Sequence, residues 1–180
     1  GFRSTFGSIS KIYNIYPDII TLGKIIGGGM PIGAYGGKRE IMEIVAPLGN
    51  VYQAGTFSGN LISMISGITT LNILKQLNPY EKLEKLTKNL VNSIKEIFER
   101  KGIEAKINHI GSMFSIFFTN EDVYNYKTAK KSNTELYKKL FWKLIDKGIY
   151  PPPSNFEVWF LSTAHSIDDI EKTKEAINEF

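Results

Sequence analysis

The chain has 180 residues, 42% of them hydrophobic, which is long and apolar enough to bury a core in one or two domains. It contains no cysteine, which excludes disulfides, thiolate metal sites and a cysteine nucleophile. The net charge of +4 comes from 22 basic and 18 acidic residues spread along the chain, so we expect no nucleic acid partner.

Hydropathy and the N-terminal residues set expectations about location. The sequence has no run of eighteen apolar residues that would cross a membrane. It also shows no secretory signal, which would have a positively charged segment followed by an apolar one. We therefore expect a cytoplasmic protein with no membrane partner. Because residue 1 is glycine and not an initiator methionine, we also expect the chain to be a fragment or a processed product.

The first chemical feature in chain order is Lys24. A loop with a short helix over residues 11–16 is predicted first, and the apolar residues 19–22 then predict a short buried strand that brings Lys24 to a sheet edge. Six glycines follow within thirteen residues, and glycine allows the backbone to approach a ligand closely. The pattern predicts an amine held in a tight pocket, with a solvated lysine beside an ordinary loop as the alternative.

Lysine forms Schiff bases, so Lys24 is a candidate for covalent catalysis. Two other glycine motifs are excluded here. A phosphate-binding P-loop requires Ser or Thr after Gly-Lys, where this chain has Ile25, and the dinucleotide fingerprint requires glycine where Ile32 stands.

A second chemical feature covers residues 51–60, after a predicted strand at 35–37 and a short helix at 38–45. Gly55 and Thr56, followed by Ser58 and another glycine, offer hydroxyls and flexible N–H groups ahead of a helix, an arrangement that commonly holds phosphate. The alternative is an ordinary N-cap, with Ser58 or Asn60 starting a helix over residues 61–77.

The second half of the chain predicts a small α/β domain, with the internal boundary at Asn78 and Pro79 because proline suits the first turn of a new helix. Helices and strands alternate in this half. The predicted elements are a helix over 83–98 capped by Gly102, a strand or hairpin over 105–119, a helix over 136–145 ending at Gly148, a strand beginning at 149–150, a strand over 158–163, and a helix opened by the capping box at 166–169.

Three segments of the chain resemble a known family. Residues 17–24 (PDIITLGK), running into residues 27–34 (GGGMPIGA), resemble the pyridoxal-phosphate lysine motif of class III aminotransferases. Residues 51–60 (VYQAGTFSGN) and 151–157 (PPPSNFE) resemble one branch of that family, the glutamate-1-semialdehyde 2,1-aminomutases. The similarity covers the whole chain but only the C-terminal part of the family's members, which are more than twice as long.

The resemblance implies an α/β fold, the C-terminal part of a fold-type-I pyridoxal-phosphate transferase. Residues 1–78 would be the end of the large cofactor-binding domain and residues 79–180 the small C-terminal α/β domain. The family's aspartate that pairs with the cofactor ring nitrogen lies just before a Gly-Phe-Arg like that of residues 1–3, so it would fall outside this sequence.

The resemblance also assigns roles to residues. Lys24 would form the Schiff base with pyridoxal 5'-phosphate and shuttle protons, and Gly55 and Thr56 would bind cofactor phosphate. Thr56 would reach the neighbouring subunit's cofactor, which implies a homodimer with shared sites. Glu157 would lie near the lysine and the substrate amines, although its sequence context alone predicts an exposed edge-strand residue.

The implied reaction converts glutamate-1-semialdehyde to 5-aminolevulinate for porphyrin synthesis, through the pyridoxamine 5'-phosphate form of the cofactor and a bound diaminovalerate. A general class III aminotransferase with a separate keto acid is a second possibility. A non-catalytic interaction domain, or a piece that is inactive alone, is the third. His109 and His165 lack ligand spacing, so no metal site is expected.

Overall fold

The computed structural model describes all residues from 1 to 180, and it divides into two compact units. The first unit is Gly1–Asn78 and the second is Pro79–Phe180. Asn78 ends the last helix of the first unit in a left-handed conformation, and Pro79 caps the first helix of the second. None of the helices combines the length and the apolar character that crossing a membrane requires.

The first unit is built from short elements and one long helix. Its elements are α1 (Ser10–Tyr13), β1 (Ile19–Gly23), a 3-10 turn (Lys24–Gly27), β2 (Gly33–Gly37), α2 (Arg39–Met42) and α3 (Leu61–Leu77). β1 and β2 pair antiparallel, with Ile19 opposite Gly37 and Gly23 opposite Gly33. The prediction that this strand is buried is wrong for the chain as it stands, because only β2 pairs with β1 and Ile19 is 52% exposed.

α3 has the predicted bounds, and its ends show why. The side chain of Asn60 accepts a hydrogen bond from the N–H of Ser63 at 3.1 Å, which caps the first turn. Asn78 donates its N–H to the carbonyl of Leu74 at 2.9 Å and closes the last turn. The helix is apolar on nearly all sides, yet only Ser63 and Gly67 are buried within this chain.

The second unit contains four helices and one three-stranded sheet. Its elements are α4 (Tyr80–Arg100), β3 (Lys106–Ile110), β4 (Met113–Phe117), α5 (Tyr126–Ala129), α6 (Thr134–Asp146), β5 (Trp159–Phe160) and α7 (Ile167–Asn178). The strand order is β3-β4-β5, and both pairs are antiparallel. Of the strand or hairpin predicted over residues 105–119, the structure shows the hairpin, formed by β3 and β4.

One large apolar cluster forms most of the core of the second unit, beside a small one of Phe117, Val123 and Ala129. Leu90 and Ile94 of α4, Ile116 of β4 and Leu140 of α6 are almost fully buried in it, as is Ile177 of α7. Each side chain of this size stabilises the fold by about 1.5–3 kcal/mol when buried. The helix predicted over residues 83–98 thus packs one face into the core.

Two predicted strands differ in the structure. The segment at residues 149–150 is not a strand, and the strand expected over 158–163 shrinks to Trp159–Phe160. The prolines at 151–153 cannot donate to a ladder, and β5 meets β4 only through two residue pairs, Met113 with Phe160 and Phe114 with Trp159.

The capping box before α7 is confirmed. Ser166 Oγ accepts from the N–H of Asp169 at 3.2 Å, and the Asp169 carboxylate accepts from the N–H of Ser166 at 2.7 Å. The carboxylate also accepts from the hydroxyl of Ser166 at 2.7 Å. The N–H and the hydroxyl of Ser166 together hold the pKa of Asp169 below its usual value.

Candidate functional site

Lys24 occupies a strained position at the end of β1. Gly23 is still extended, and Lys24 then turns into the left-handed region at φ 52° as the first residue of the 3-10 turn. This conformation costs a non-glycine residue about 1–2 kcal/mol. The lysine is exposed, and with Arg3, Ile25 and Met30 it lines an open depression of about 520 Å³. Backbone strain of this kind is concentrated at functional sites.

Hydroxyl groups of α3 hold the glycine-rich loop that follows Lys24. Ser63 Oγ donates to the carbonyl of Pro31 at 2.9 Å, and Ser66 Oγ donates to the carbonyl of Gly28 at 3.2 Å. These bonds satisfy loop carbonyls that have no partner in a sheet or a helix. The loop is therefore fixed to one face of α3.

The loop lies so close to α3 that side chains are excluded at two glycines. A Cβ at Gly67 of α3 would strike the carbonyl oxygen of Ile26, and a Cβ at Gly28 would strike Thr70 Oγ1. Gly28 also has φ 59°, which favours glycine. The contact buries Ile26 and Gly27, which are the second and third residues after Lys24.

Residues 55–58 form a tight turn with unused donors. The N–H of Ser58 donates to the carbonyl of Gly55 at 2.9 Å, and a Cβ at Gly55 would lie 2.9 Å from Ser58 Oγ. Thr56 is exposed, and neither its N–H nor its hydroxyl forms a hydrogen bond within the chain. The alternative of an ordinary N-cap is confirmed at Asn60, which starts α3 in place of Ser58. Thr56 takes no part in this cap.

Lys24 and the turn at residues 55–58 line two different depressions. Gly55 lines a second depression of about 440 Å³, together with Phe57 and Asn60. Pro31 borders both depressions, whereas Thr56 borders neither. The two predicted cofactor-binding features thus line neighbouring depressions that meet at Pro31.

Glu157 lies in the second unit, in a turn just before β5. Its N–H donates to the carbonyl of Ser154 at 3.0 Å, and its own carbonyl accepts from Ser115 Oγ at 3.2 Å. The carboxylate is exposed and forms no ion pair within the chain. Its charge acts on Tyr137, whose pKa is raised chiefly by burial and further by Glu157.

The two histidines are both exposed and lie on different elements. His109 lies in β3. His165 lies before α7, where its Nδ1 accepts from the N–H of Ser162 at 3.0 Å. This bond places the proton of the neutral ring on Nε2.

The residues of the first unit fit a phosphorylated aldehyde cofactor. An exposed lysine amine stands over an open depression, next to a loop in which glycines permit close approach. The turn at residues 55–58 offers unpaired donors that suit a phosphate. A primary amine and a phosphate cradle are the chemical requirements of such a group.

The α3 hydroxyls are a part of the site that the sequence interpretation missed. Ser63, Ser66 and Thr70 follow a spacing of three and four residues along α3. That spacing places the three hydroxyls on one face of the helix, and this pattern could have identified them from the sequence. Tyr137 was missed as well, although a tyrosine in an apolar helix face needs a partner for its hydroxyl.

A strained, exposed lysine after a strand, beside a glycine loop seated on a helix, suits an enzyme that holds its cofactor through an amine. The sequence comparison gives the family. Residues 5–179 match the family model described as aminotransferase class-III. The chain belongs to the class III aminotransferases.

Individual relatives make the relationship more specific. The chain is 51% identical over 173 residues to the glutamate-1-semialdehyde 2,1-aminomutase of Sulfurihydrogenibium sp. (strain YO3AOP1), an alignment covering 96% of this chain and 40% of that protein. The chain thus spans about two fifths of the length of this relative.

Solved structures share the fold. An omega-transaminase from Sphaerobacter thermophilus superposes with a TM-score of 0.88 at 26% identity, covering 99% of this chain and 41% of that one. The PLP internal aldimine form of the FumI protein of Sphingopyxis sp. MTA144 superposes with a TM-score of 0.83, also at 26% identity, over 99% of this chain and 40% of that one.

Proposed function

We propose that this chain is the C-terminal part of a pyridoxal-phosphate-dependent aminomutase that converts glutamate-1-semialdehyde to 5-aminolevulinate for porphyrin synthesis. The observation that carries the proposal is the 51% identity to a glutamate-1-semialdehyde 2,1-aminomutase over 96% of this chain. The strained, exposed Lys24 supports it, because covalent cofactor attachment requires an accessible amine.

The two units take the two domain roles in this proposal. Residues 1–78 form the end of the large cofactor-binding domain, and residues 79–180 form the small C-terminal α/β domain. Ile26 is the one buried apolar side chain of the first unit, which supports its being part of a larger domain. The second unit has its own core.

Lys24 performs the central chemistry. Bound pyridoxal 5'-phosphate supplies an electron-withdrawing ring that stabilises negative charge at the substrate carbon. Lys24 Nζ holds the cofactor covalently in the resting enzyme and, when free, moves a proton to and from the substrate carbon. The α3 hydroxyls fix the loop after Lys24, so the amine returns to one position.

Gly55 and Thr56 bind the cofactor phosphate through their N–H groups and the Thr56 hydroxyl. Because Thr56 does not line the depression that Lys24 lines, we assign it to the site of a second subunit in a homodimer. The same residues would hold the pyridoxamine 5'-phosphate form of the cofactor. The enzyme acts in the cytoplasm in this proposal.

Glu157 acts on the substrate amines. A carboxylate favours the protonated form of a nearby amine, so it holds a diamine in the site. Glu157 has no cationic partner of its own within the chain, which leaves its carboxylate available for this role. Diaminovalerate is the species that it retains.

The decisive experiment uses the full-length enzyme and one substrate. An aminomutase returns its amine to the same carbon skeleton, whereas a transaminase exchanges it with a second substrate. With glutamate-1-semialdehyde alone, we expect many turnovers to 5-aminolevulinate without added keto acid. A reaction that stops after about one turnover and resumes with a keto acid would replace the aminomutase proposal by the general aminotransferase.

The general aminotransferase is the second candidate, and the similarity to an omega-transaminase of known structure favours it. The possibility that these 180 residues are inactive by themselves is tested separately. Cofactor absorbance near the band of a protonated Schiff base, measured on the 180-residue chain, distinguishes a cofactor-binding piece from an inactive one.

A further inference from the structure

The segment of residues 151–157, which we call the proline strap, joins α6 to β5 and carries Glu157. Its first three residues are prolines, which have no N–H and cannot donate to a sheet. These three residues can therefore be anchored only through their carbonyl groups and their rings. The hydrogen bonds that do this identify the residues that set the position of Glu157.

Tyr137 provides the first anchor. Its hydroxyl donates to the carbonyl of Pro152 at 2.9 Å and accepts from Trp159 Nε1 at 3.1 Å. Since an indole N–H can only donate, this second bond leaves the hydroxyl proton pointing at Pro152. Tyr137 is 2% exposed, and burial raises its pKa, so the hydroxyl stays a proton donor.

The far end of the strap is anchored as well. Ser115 Oγ donates to the carbonyl of Glu157 at 3.2 Å, and the ring of Tyr126 lies 5.9 Å from that of Phe156. Trp159, two residues after Glu157, pairs with Phe114 of β4. Glu157 is thus held between the Tyr137 anchor and the sheet.

We propose that Tyr137 is a positioning residue for Glu157, acting through its hydrogen bond to the proline strap. The functional part of this inference rests on the role proposed above for Glu157. Tyr137 joins both sides of the turn, because it binds the carbonyl of Pro152 and the indole of Trp159 at once. Removing its hydroxyl frees the first end of the strap while the aromatic ring keeps its place in the core.

The anchor is tested by hydrogen exchange in the full-length holoenzyme. Tyr137→Phe should speed exchange in the peptide spanning residues 154–157 by about 3- to 10-fold, the effect of losing one ordinary hydrogen bond. Tyr150→Phe is the matched control, because Tyr150 is 79% exposed and its hydroxyl forms no hydrogen bond within the chain. Unchanged exchange in Tyr137→Phe would overturn the proposal.

The functional arm uses a double-mutant cycle with Glu157→Gln. We expect Tyr137→Phe to lower kcat/KM for glutamate-1-semialdehyde by about 3- to 10-fold and to increase release of diaminovalerate. In the Glu157→Gln background the same change should have little further effect, a non-additivity that general destabilisation does not produce.

Two outcomes of the cycle would count against the inference in different ways. If Tyr137→Phe lowers kcat/KM equally in both backgrounds, Tyr137 acts through another group and the positioning role is overturned. If Glu157→Gln itself is silent, the role of Glu157 falls and takes the functional arm with it. The exchange measurement then still decides whether Tyr137 anchors the strap.

Discussion

At the scale of single residues, the proposed attachment residue Lys24 has a backbone conformation that destabilises the fold. It is one of three non-glycine residues with positive φ; the other two, Asn14 and Asn78, are asparagines at helix ends. Asparagine tolerates this region, and lysine does so less readily. Glycine at position 24 would relieve the strain, so the site retains an amine at the expense of about 1 kcal/mol of stability.

The identity of the attachment lysine is directly measurable. Borohydride reduction of the full-length holoenzyme, followed by peptide mapping, should place the pyridoxyl group on Lys24. Lys38 is the internal control, since it is the next lysine in the chain and is paired with Asp18 at 2.5 Å. Label on any lysine other than Lys24 would refute the assignment.

Thr56→Val tests the phosphate role with little change of shape. Removing a hydrogen bond to a charged group costs about 1.5–3 kcal/mol, so cofactor affinity should fall by roughly ten- to a hundredfold. Thr69→Val, at an exposed position of α3, is the control and should leave affinity unchanged. An unaltered cofactor dissociation constant in Thr56→Val would exclude Thr56 as a ligand.

At the scale of elements, the sequence predicted what local patterns control. The bounds of α3 and the capping box at residues 166–169 follow from caps, and the β3–β4 hairpin follows from β-preferring residues. Burial of β1 and the length of β5 depend on what pairs with them, which periodicity does not encode.

The candidate site shows the same division. Lys24 stood out because one lysine interrupts an apolar and glycine-rich segment, and the turn at residues 55–58 stood out through its composition. The hydrogen bonding of α3 to the loop was not predictable, because it joins Ser63 to Pro31 across 32 positions of sequence. The Tyr137 anchor likewise joins α6 to a loop that has no periodicity.

Gly67→Ala tests the contact between α3 and the loop after Lys24. Alanine in a helix is normally favourable by about 1 kcal/mol relative to glycine. Here the added Cβ would strike the carbonyl of Ile26, so overpacking of about 1–3 kcal/mol should win and destabilise the first unit. Weaker cofactor binding should accompany the loss, because the contact adjoins Lys24.

The control for that experiment is Asn72→Ala, at an exposed position of the same helix. It gains helix propensity without a new contact, so it should be neutral or slightly stabilising. Both variants are compared by urea unfolding of the full-length enzyme. Equal or higher stability of Gly67→Ala would show that the helix and the loop do not pack as closely as the structure has them.

At the scale of the whole molecule, we propose that one active site takes Lys24 and Thr56 from different subunits. This assignment has a testable consequence for assembly. If each active site takes Lys24 from one subunit and Thr56 from its partner, a mixed dimer of Lys24→Ala and Thr56→Val chains contains one site with both residues intact. Co-expression should therefore restore activity at low cofactor concentration, where each variant alone is inactive or nearly so.

A matched control separates this rescue from simple mixing. Chains carrying both substitutions, co-expressed with the wild type, leave each mixed site short of one residue. Their dimers should show no more activity at low cofactor than the wild-type dimers present account for. Absence of rescue in the first mixture would mean that Lys24 and Thr56 serve the same subunit's site.

The first unit has one buried apolar side chain, Ile26, whereas the second unit has a continuous core of its own. The candidate cofactor residues all lie in the unit that is less self-sufficient. Any group that binds the folded form alone adds its binding free energy to stability. Three quantities are then linked: cofactor occupancy, association with other polypeptide, and the local order of residues 1–78. A decrease in any one of them lowers the other two.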